Sequence, residues 1–132
     1  MTSFDAEVLA RQLAQLGRDL DDEVKNLGQY EEEAVDAEGH YRIKESAFDD
    51  ELDKCFLEAS GGSVEVRKAQ ARIVTTSYRL DSQEAYLEWQ RAKARVRTQQ
   101  ANLSAIHKRI EIGRSLLSRE KALISLSGVG ET

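Results

Sequence analysis

WQRAKARVRTQQANLSAIHKRIEIGRSLLSREKALI, from Trp89 to Ile124, is the stretch on which the fold reading turns. Every seventh residue in it is large and apolar: Trp89, Val96, Leu103, Ile110, Leu117 and Ile124. Ala92 and Ile106 add the intermediate step of three, whereas Gln99, Gly113 and Glu120 interrupt it. Such a repeat draws one apolar seam down a long helix, and a seam needs a partner surface. With no proline anywhere in the 132 residues, no helix is broken by a missing amide donor or a ring clash.

Upstream of Trp89 the sevenfold column changes to Val66, Ile73, Leu80, Leu87, Ala94 and Ala101. The buried face is therefore expected to shift between Leu80 and Trp89. This second helix is expected over 64–126, roughly 90 Å of it if unbroken. Ser60-Gly61-Gly62-Ser63 is the clearest interruption of the chain. Glycine just past a helix end supplies a left-handed cap, and Ser63 can cap the helix that follows, with Glu65 in its first turn.

Before that turn lies a first arm. Thr2 and Ser3 ahead of Asp5 and Glu7 read as an N-cap with acids in the first turn. Leu9, Leu13, Leu16 and Leu20 follow at four-three-four spacing, and sevens from Leu13 run through Leu20, Leu27, Ala34, Tyr41, Phe48 and Cys55. The step Leu20, Val24, Leu27 suggests a stutter. Gly17, Gly28 and Gly39 each cost a helix about 1 kcal/mol against alanine, so a bend near Gly28 or Gly39 would make this arm two helices.

The expected organisation is one helical domain, 1–132. It has an acidic arm over 1–60, a Gly-rich turn at 61–63, a long basic helix over 64–126 and a flexible tail at 127–132. The fold class is all-α: an elongated antiparallel helical hairpin or coiled coil, oligomeric through the seam Trp89, Val96, Leu103, Ile110, Leu117, Ile124. A third of the residues are charged and 6% are aromatic, a composition of extended helices with a thin core.

The charge is polarised. Residues 1–62 hold 6 Lys/Arg and 17 Asp/Glu, and residues 63–132 hold 13 and 7, so a −11 arm precedes a +6 arm within a net −5. Arg91, Lys93, Arg95 and Arg97 crowd one region, and at 100° per residue Lys68, Arg79, Tyr86, Lys93, Lys108 and Arg119 fall near the direction of Arg97. A cationic stripe with an aromatic in it suits a phosphate backbone and an unpaired base. The alternative is that these cations face the carboxylates of the first arm. Trp89 lies on the seam, where core packing is the default.

Other constellations carry no chemistry. Glu31, Glu32, Glu33, Asp36 and Glu38 read as a solvated face, without the loop pattern of a calcium site. His40 and His107 stand apart, without ligand-spaced companions. Cys55 is the single cysteine and reads as a small seam residue. Neither a nucleophile triad nor a phosphate-cradling glycine motif is present, and Gly128-Val129-Gly130 is a tail. No enzyme activity, cofactor or metal is expected. No apolar run is long enough to span a membrane and no signal-peptide core follows Met1, so a soluble cytoplasmic protein is expected.

From about Glu51 to Ala122 the layout resembles the phage recombination mediators of the UvsY type. The likeness lies in Asp53-Lys54-Cys55-Phe56-Leu57-Glu58-Ala59-Ser60-Gly61-Gly62, in Tyr78, Leu80, Tyr86 and Trp89, and in Ser104-Ala105-Ile106-His107-Lys108-Arg109-Ile110-Glu111-Ile112-Gly113-Arg114. It implies a helical homo-oligomer that binds single-stranded DNA and helps load a RecA-like recombinase onto DNA covered by single-strand-binding protein, in the host cytoplasm if the gene is a phage's. In that family basic residues just before the turn are tied to DNA contact. Here Lys54 stands there alone among acids, which moves the expected DNA contact to Lys68, Arg79, Tyr86, Arg91, Lys93, Arg95, Arg97, Lys108 and Arg119. The other class in view is a structural coiled-coil scaffold or assembly adaptor with no nucleic-acid role.

Overall fold

The computed structural model describes residues 3–130, with side chains from Asp5 to Ser127. Three helices follow one another: α1 (Ser3–Glu58), α2 (Val64–Val74) and α3 (Thr76–Gly130). The expected N-cap falls on Thr2, outside the described residues, and Ser3 is already helical. Neither Gly28 nor Gly39 breaks α1, which is one helix of 56 residues. At the other end α3 continues through Gly128, and residues 131–132 lie outside the described residues.

The turn between α1 and α2 forms as its residues dictate. Gly61 and Gly62 take φ of 82° and 77°, a region in which a side chain would be strained. Ser63 is the N-cap of α2, its Oγ accepting the Val66 amide at 3.3 Å. Arg67 then ties α2 to the end of α1. Its guanidinium donates to the Phe56 carbonyl at 3.2 Å and lies 4.8 Å from the Phe56 ring centroid. A helix end leaves such carbonyls without an intrahelical donor, so the arginine supplies one.

The expected hairpin or coiled coil of two long helices is overturned. The chain is an all-α bundle of three helices, in which α1 packs against α3 and α2 is the short member. The stretch read as one helix over 64–126 divides at Thr75, where φ is −94° and ψ 13°. Its cause is a pair of threonines. The Thr75 hydroxyl, 1% exposed, donates to the Ala71 carbonyl at 2.7 Å, and the Thr76 hydroxyl donates to the Ile73 carbonyl at 2.8 Å. Hydroxyls bonded back onto carbonyls three and four residues earlier compete with the backbone ladder and bend a helix. The chain still links across the break, through Thr75 N to Ala71 O and Arg79 N to Thr75 O, each 3.1 Å.

Two structural units share these helices: one is built from the chain up to Gln29 and from Arg97 onward, the other from Tyr30–Val96. In the first, Leu9, Leu13, Leu16, Leu20, Glu23 and Leu27 are the half-buried row of α1. Val24 is 52% exposed, so the row keeps its step and there is no stutter. Its counterpart on α3 is Gln99, Leu103, Ile106, Ile110, Gly113, Leu117 and Glu120. Gln99, Gly113 and Glu120 thus lie on the inner face rather than interrupting it. Gln99 Nε2 donates to the Glu23 carbonyl at 2.9 Å and to the Glu23 carboxylate. Gly113 lets Leu13 sit where a Cβ would be, 2.6 Å from Leu13 Cδ2.

In the second unit the inner face of α2 and α3 is Ala71, Thr75, Ser82, Ala85, Trp89, Ala92 and Val96. Buried alanines at 2% (Ala85) and 4% (Ala92) bring α1 and α3 close together. The column Val66, Ile73, Leu80, Leu87, expected to be the early seam, faces solvent at 47%, 74%, 53% and 53%. Ala94, and in the first unit Ala101, are exposed too. Ala71, Ala85 and Ala92 take, with Thr75, the most buried positions of this face, beside the half-buried Trp89 and Val96. The buried face therefore does not shift at Leu80.

Candidate nucleic-acid interface

Trp89 organises the second unit. Its ring stacks on Tyr41 of α1, with centroids 5.5 Å apart and planes at 20°. Tyr86 meets both rings edge-on, at 5.3 Å from Tyr41 and 6.1 Å from Trp89. Two cations cover what remains of the indole. Lys93 Nζ lies 4.1 Å from its centroid and the Arg42 guanidinium 5.3 Å. Each such contact contributes about 0.5–1 kcal/mol at a partly exposed site. Arg42 is anchored in turn by Glu38 at 3.7 Å and Glu45 at 3.8 Å. Glu45 also raises the Tyr41 phenol above its ordinary value, first by hydrogen bonding, then with burial and the carboxylate's charge adding to it.

This cluster decides what Trp89 can do. With Tyr41 on its face and two cations over it, the indole is spoken for and offers no platform to a base. Tyr86 is different: it is 44% exposed and borders an open groove of about 440 Å³ with Tyr41, Ser82, Gln83 and Leu87. Among the cations expected here, Lys68, Arg79 and Arg91 are exposed, and Lys68 shares a cavity of about 340 Å³ with Leu52, Asp53, Phe56, Ala71 and Arg72. Lys93 is half-buried against Trp89. Arg95 pairs with Glu33 at 3.5 Å, both side chains roughly half exposed. A pair that open contributes at most about 1 kcal/mol.

In the first unit Arg97, Lys108 and Arg119 are all exposed. They succeed one another at eleven-residue intervals on α3, which at 1.5 Å per residue is about 16 Å a step and returns each to nearly the same direction. Among the described residues, no carboxylate lies within 4.0 Å of any of the three. Arg109, Arg114 and Lys121 are exposed on the same stretch, where Glu111 is the one exposed acid among the described residues. These three point away from the direction of Arg97 and lie off the expected stripe. Their signal was plain in the local composition of 97–121.

The seam residues Trp89, Val96, Leu103, Ile110, Leu117 and Ile124 are all buried or half-buried within the chain itself. Among the described residues no group of three or more His, Cys, Asp or Glu could hold a metal ion, and no helix is long and apolar enough to cross a membrane. Compared with protein-family models, curated proteins and solved structures, the chain matches none.

Proposed function

We propose that this chain is a non-catalytic single-stranded-DNA-binding recombination mediator, one that helps load a RecA-like recombinase in the cytoplasm, a host cell's if the gene is a phage's. One observation supports the reading above others: Arg97, Lys108 and Arg119 form an exposed row with no carboxylate beside them among the described residues. Cations spent on carboxylates could not displace counterions from a phosphate backbone, whereas these are free to do so. Tyr86 at its groove provides one aromatic edge for an unpaired base in the other unit. A homo-oligomer would multiply such weak contacts. The mediator role and the recombinase and single-strand-binding partners rest on the resemblance to UvsY-type proteins.

The test is fluorescence anisotropy of a labelled oligonucleotide across a salt series. Binding at about 50 mM salt that weakens steeply with added salt is expected. The triple variant Arg97→Gln, Lys108→Gln, Arg119→Gln is expected to flatten the logarithmic salt slope by about 2, since each single-strand phosphate contact contributes about 0.7. Helicity by circular dichroism should be unchanged, because none of the three packs inside the fold. Absence of binding at low salt overturns the proposal.

A second reading, an assembly adaptor without a nucleic-acid role, is favoured by a different observation. Val66 and Ile73 on α2 and Leu80 and Leu87 on α3 stand exposed, apolar residues more typical of a contact surface than of open solvent. Unbound oligonucleotide together with a partner that protects these residues would select it.

A further inference from the structure

Glu120 is 0% exposed, and neither of its side-chain oxygens meets a hydrogen-bond donor. Gln99 by contrast reaches Glu23 and the Thr75 hydroxyl reaches Ala71; among the described residues the other buried side-chain atom without a partner is Arg67 Nε. The contacts of the first unit show what covers Glu120. Partners on α1 recede as α3 advances, from Glu23 against Gln99 to Leu13 against Gly113. Glu120 lies seven residues beyond Gly113, and its counterpart on α1 falls five to seven back from Leu13, between Val8 and Ala6, both half-buried. The cover is therefore the opening turns of α1.

Two effects compete there. Leu9, Leu13 and Leu16 line a shared cavity with Ile112, Gly113 and Leu116 and favour closure. A carboxyl group taken out of water without a partner opposes it. Helix ends are also the segments that open most readily, having few contacts and unpaired amides. We propose that residues 5–16 are a strap in a local two-state equilibrium. Closed, it lies over α3 with Glu120 dry. Lifted, it lets water reach Glu120 and bares the strip Ile110, Leu117 and Ile124, so that access to this strip is gated by the strap.

The test is amide hydrogen exchange on the full chain. Glu120→Leu removes the opposing term, and exchange at Leu9 to Leu16 is expected to slow by about tenfold or more. Exchange at Lys44 to Cys55, in the other unit, should stay unchanged. Glu120→Met, closer in shape to glutamate, repeats the reading should leucine fit badly. The strap is overturned if neither variant slows exchange at Leu9 to Leu16, or if both segments slow together, which would mean that Glu120 tunes global stability only.

Discussion

Replacing glycine by alanine inside these long helices should have opposite signs at different positions. An ideal Cβ at Gly28 or Gly39 meets nothing within 4 Å, so alanine there gains helix propensity with no steric penalty. The gain is about 0.4–1 kcal/mol at each position. At Gly113 the same Cβ would lie 2.6 Å from Leu13 Cδ2 and 3.2 Å from Leu13 Cγ. The terminal methyl can swing away, but the branch carbon must follow by a few tenths of an ångström, and it is held in the row of α1. Overpacking of this kind costs about 1–3 kcal/mol, against a propensity gain of about 1. Gly113→Ala should thus destabilise by about 1 kcal/mol. Gly28→Ala should raise the melting temperature by up to about 4 °C, and Gly113→Ala should lower it by a similar amount. Thermal and urea unfolding followed by far-ultraviolet circular dichroism reads both. Leu13→Ala is the partner variant: in its background Gly113→Ala should turn neutral or stabilising, a coupling of about 1 kcal/mol or more. If Gly113→Ala stabilises as much as Gly28→Ala does, Leu13 does not pack on Gly113 and the assigned register is wrong.

Three further outcomes are expected. Arg67→Met should destabilise by about 1–2 kcal/mol in urea melts, because the Phe56 carbonyl loses its charged donor while the aliphatic packing is largely kept. Gln99→Ala should cost about 2 kcal/mol, whereas Gln99→Leu with Glu23→Leu should cost less, since it removes both side chains of the part-buried polar pair and leaves the Glu23 carbonyl inside its helix. The Tyr41 phenol should titrate above its ordinary value of about 10 when followed by absorbance at alkaline pH, and Glu45→Gln should bring it down. Because folding raises this group, its contribution is fully present below about pH 10 and is lost as pH climbs through the raised value. A Tyr41→Phe variant should therefore narrow its stability deficit at the alkaline end.

The all-α class was legible, whereas the hairpin of two long helices gave way to a bundle of three. The sevenfold column from Trp89 to Ile124 turned inward along its whole length, where α1 supplies partners such as Tyr41 against Trp89 and the leucine row from Leu9 to Leu27. Gln99, Gly113 and Glu120 looked like interruptions because polarity and small size were read as exposure. Gln99 instead reaches Glu23, 76 residues away, and Gly113 makes room for Leu13; both facts depend on a register that one helix alone does not define. The break at Thr75 was missed for want of a glycine or proline there, although two adjacent threonines were its visible sign. Val66, Ile73, Leu80 and Leu87 misled in the opposite direction, since a periodic apolar column does not say whether its partner is in the same chain. Of the cations, sequence could not tell Arg95, which finds Glu33 across the bundle, from Arg97, which among the described residues finds no carboxylate.

Trp89 is the sole tryptophan of the chain, and it sits wholly within the unit formed by 30–96. Its emission, quenched or shifted by the ammonium of Lys93 and the phenol of Tyr41, will follow the loosening of that unit alone. A melt observed through this fluorophore is blind to events around Leu13 and Gly113, while ellipticity at 222 nm sums over all the helices. Two transitions that disagree between these optical signals would show the halves coming apart in sequence, and coincident ones would show that the long helices carry cooperativity from end to end.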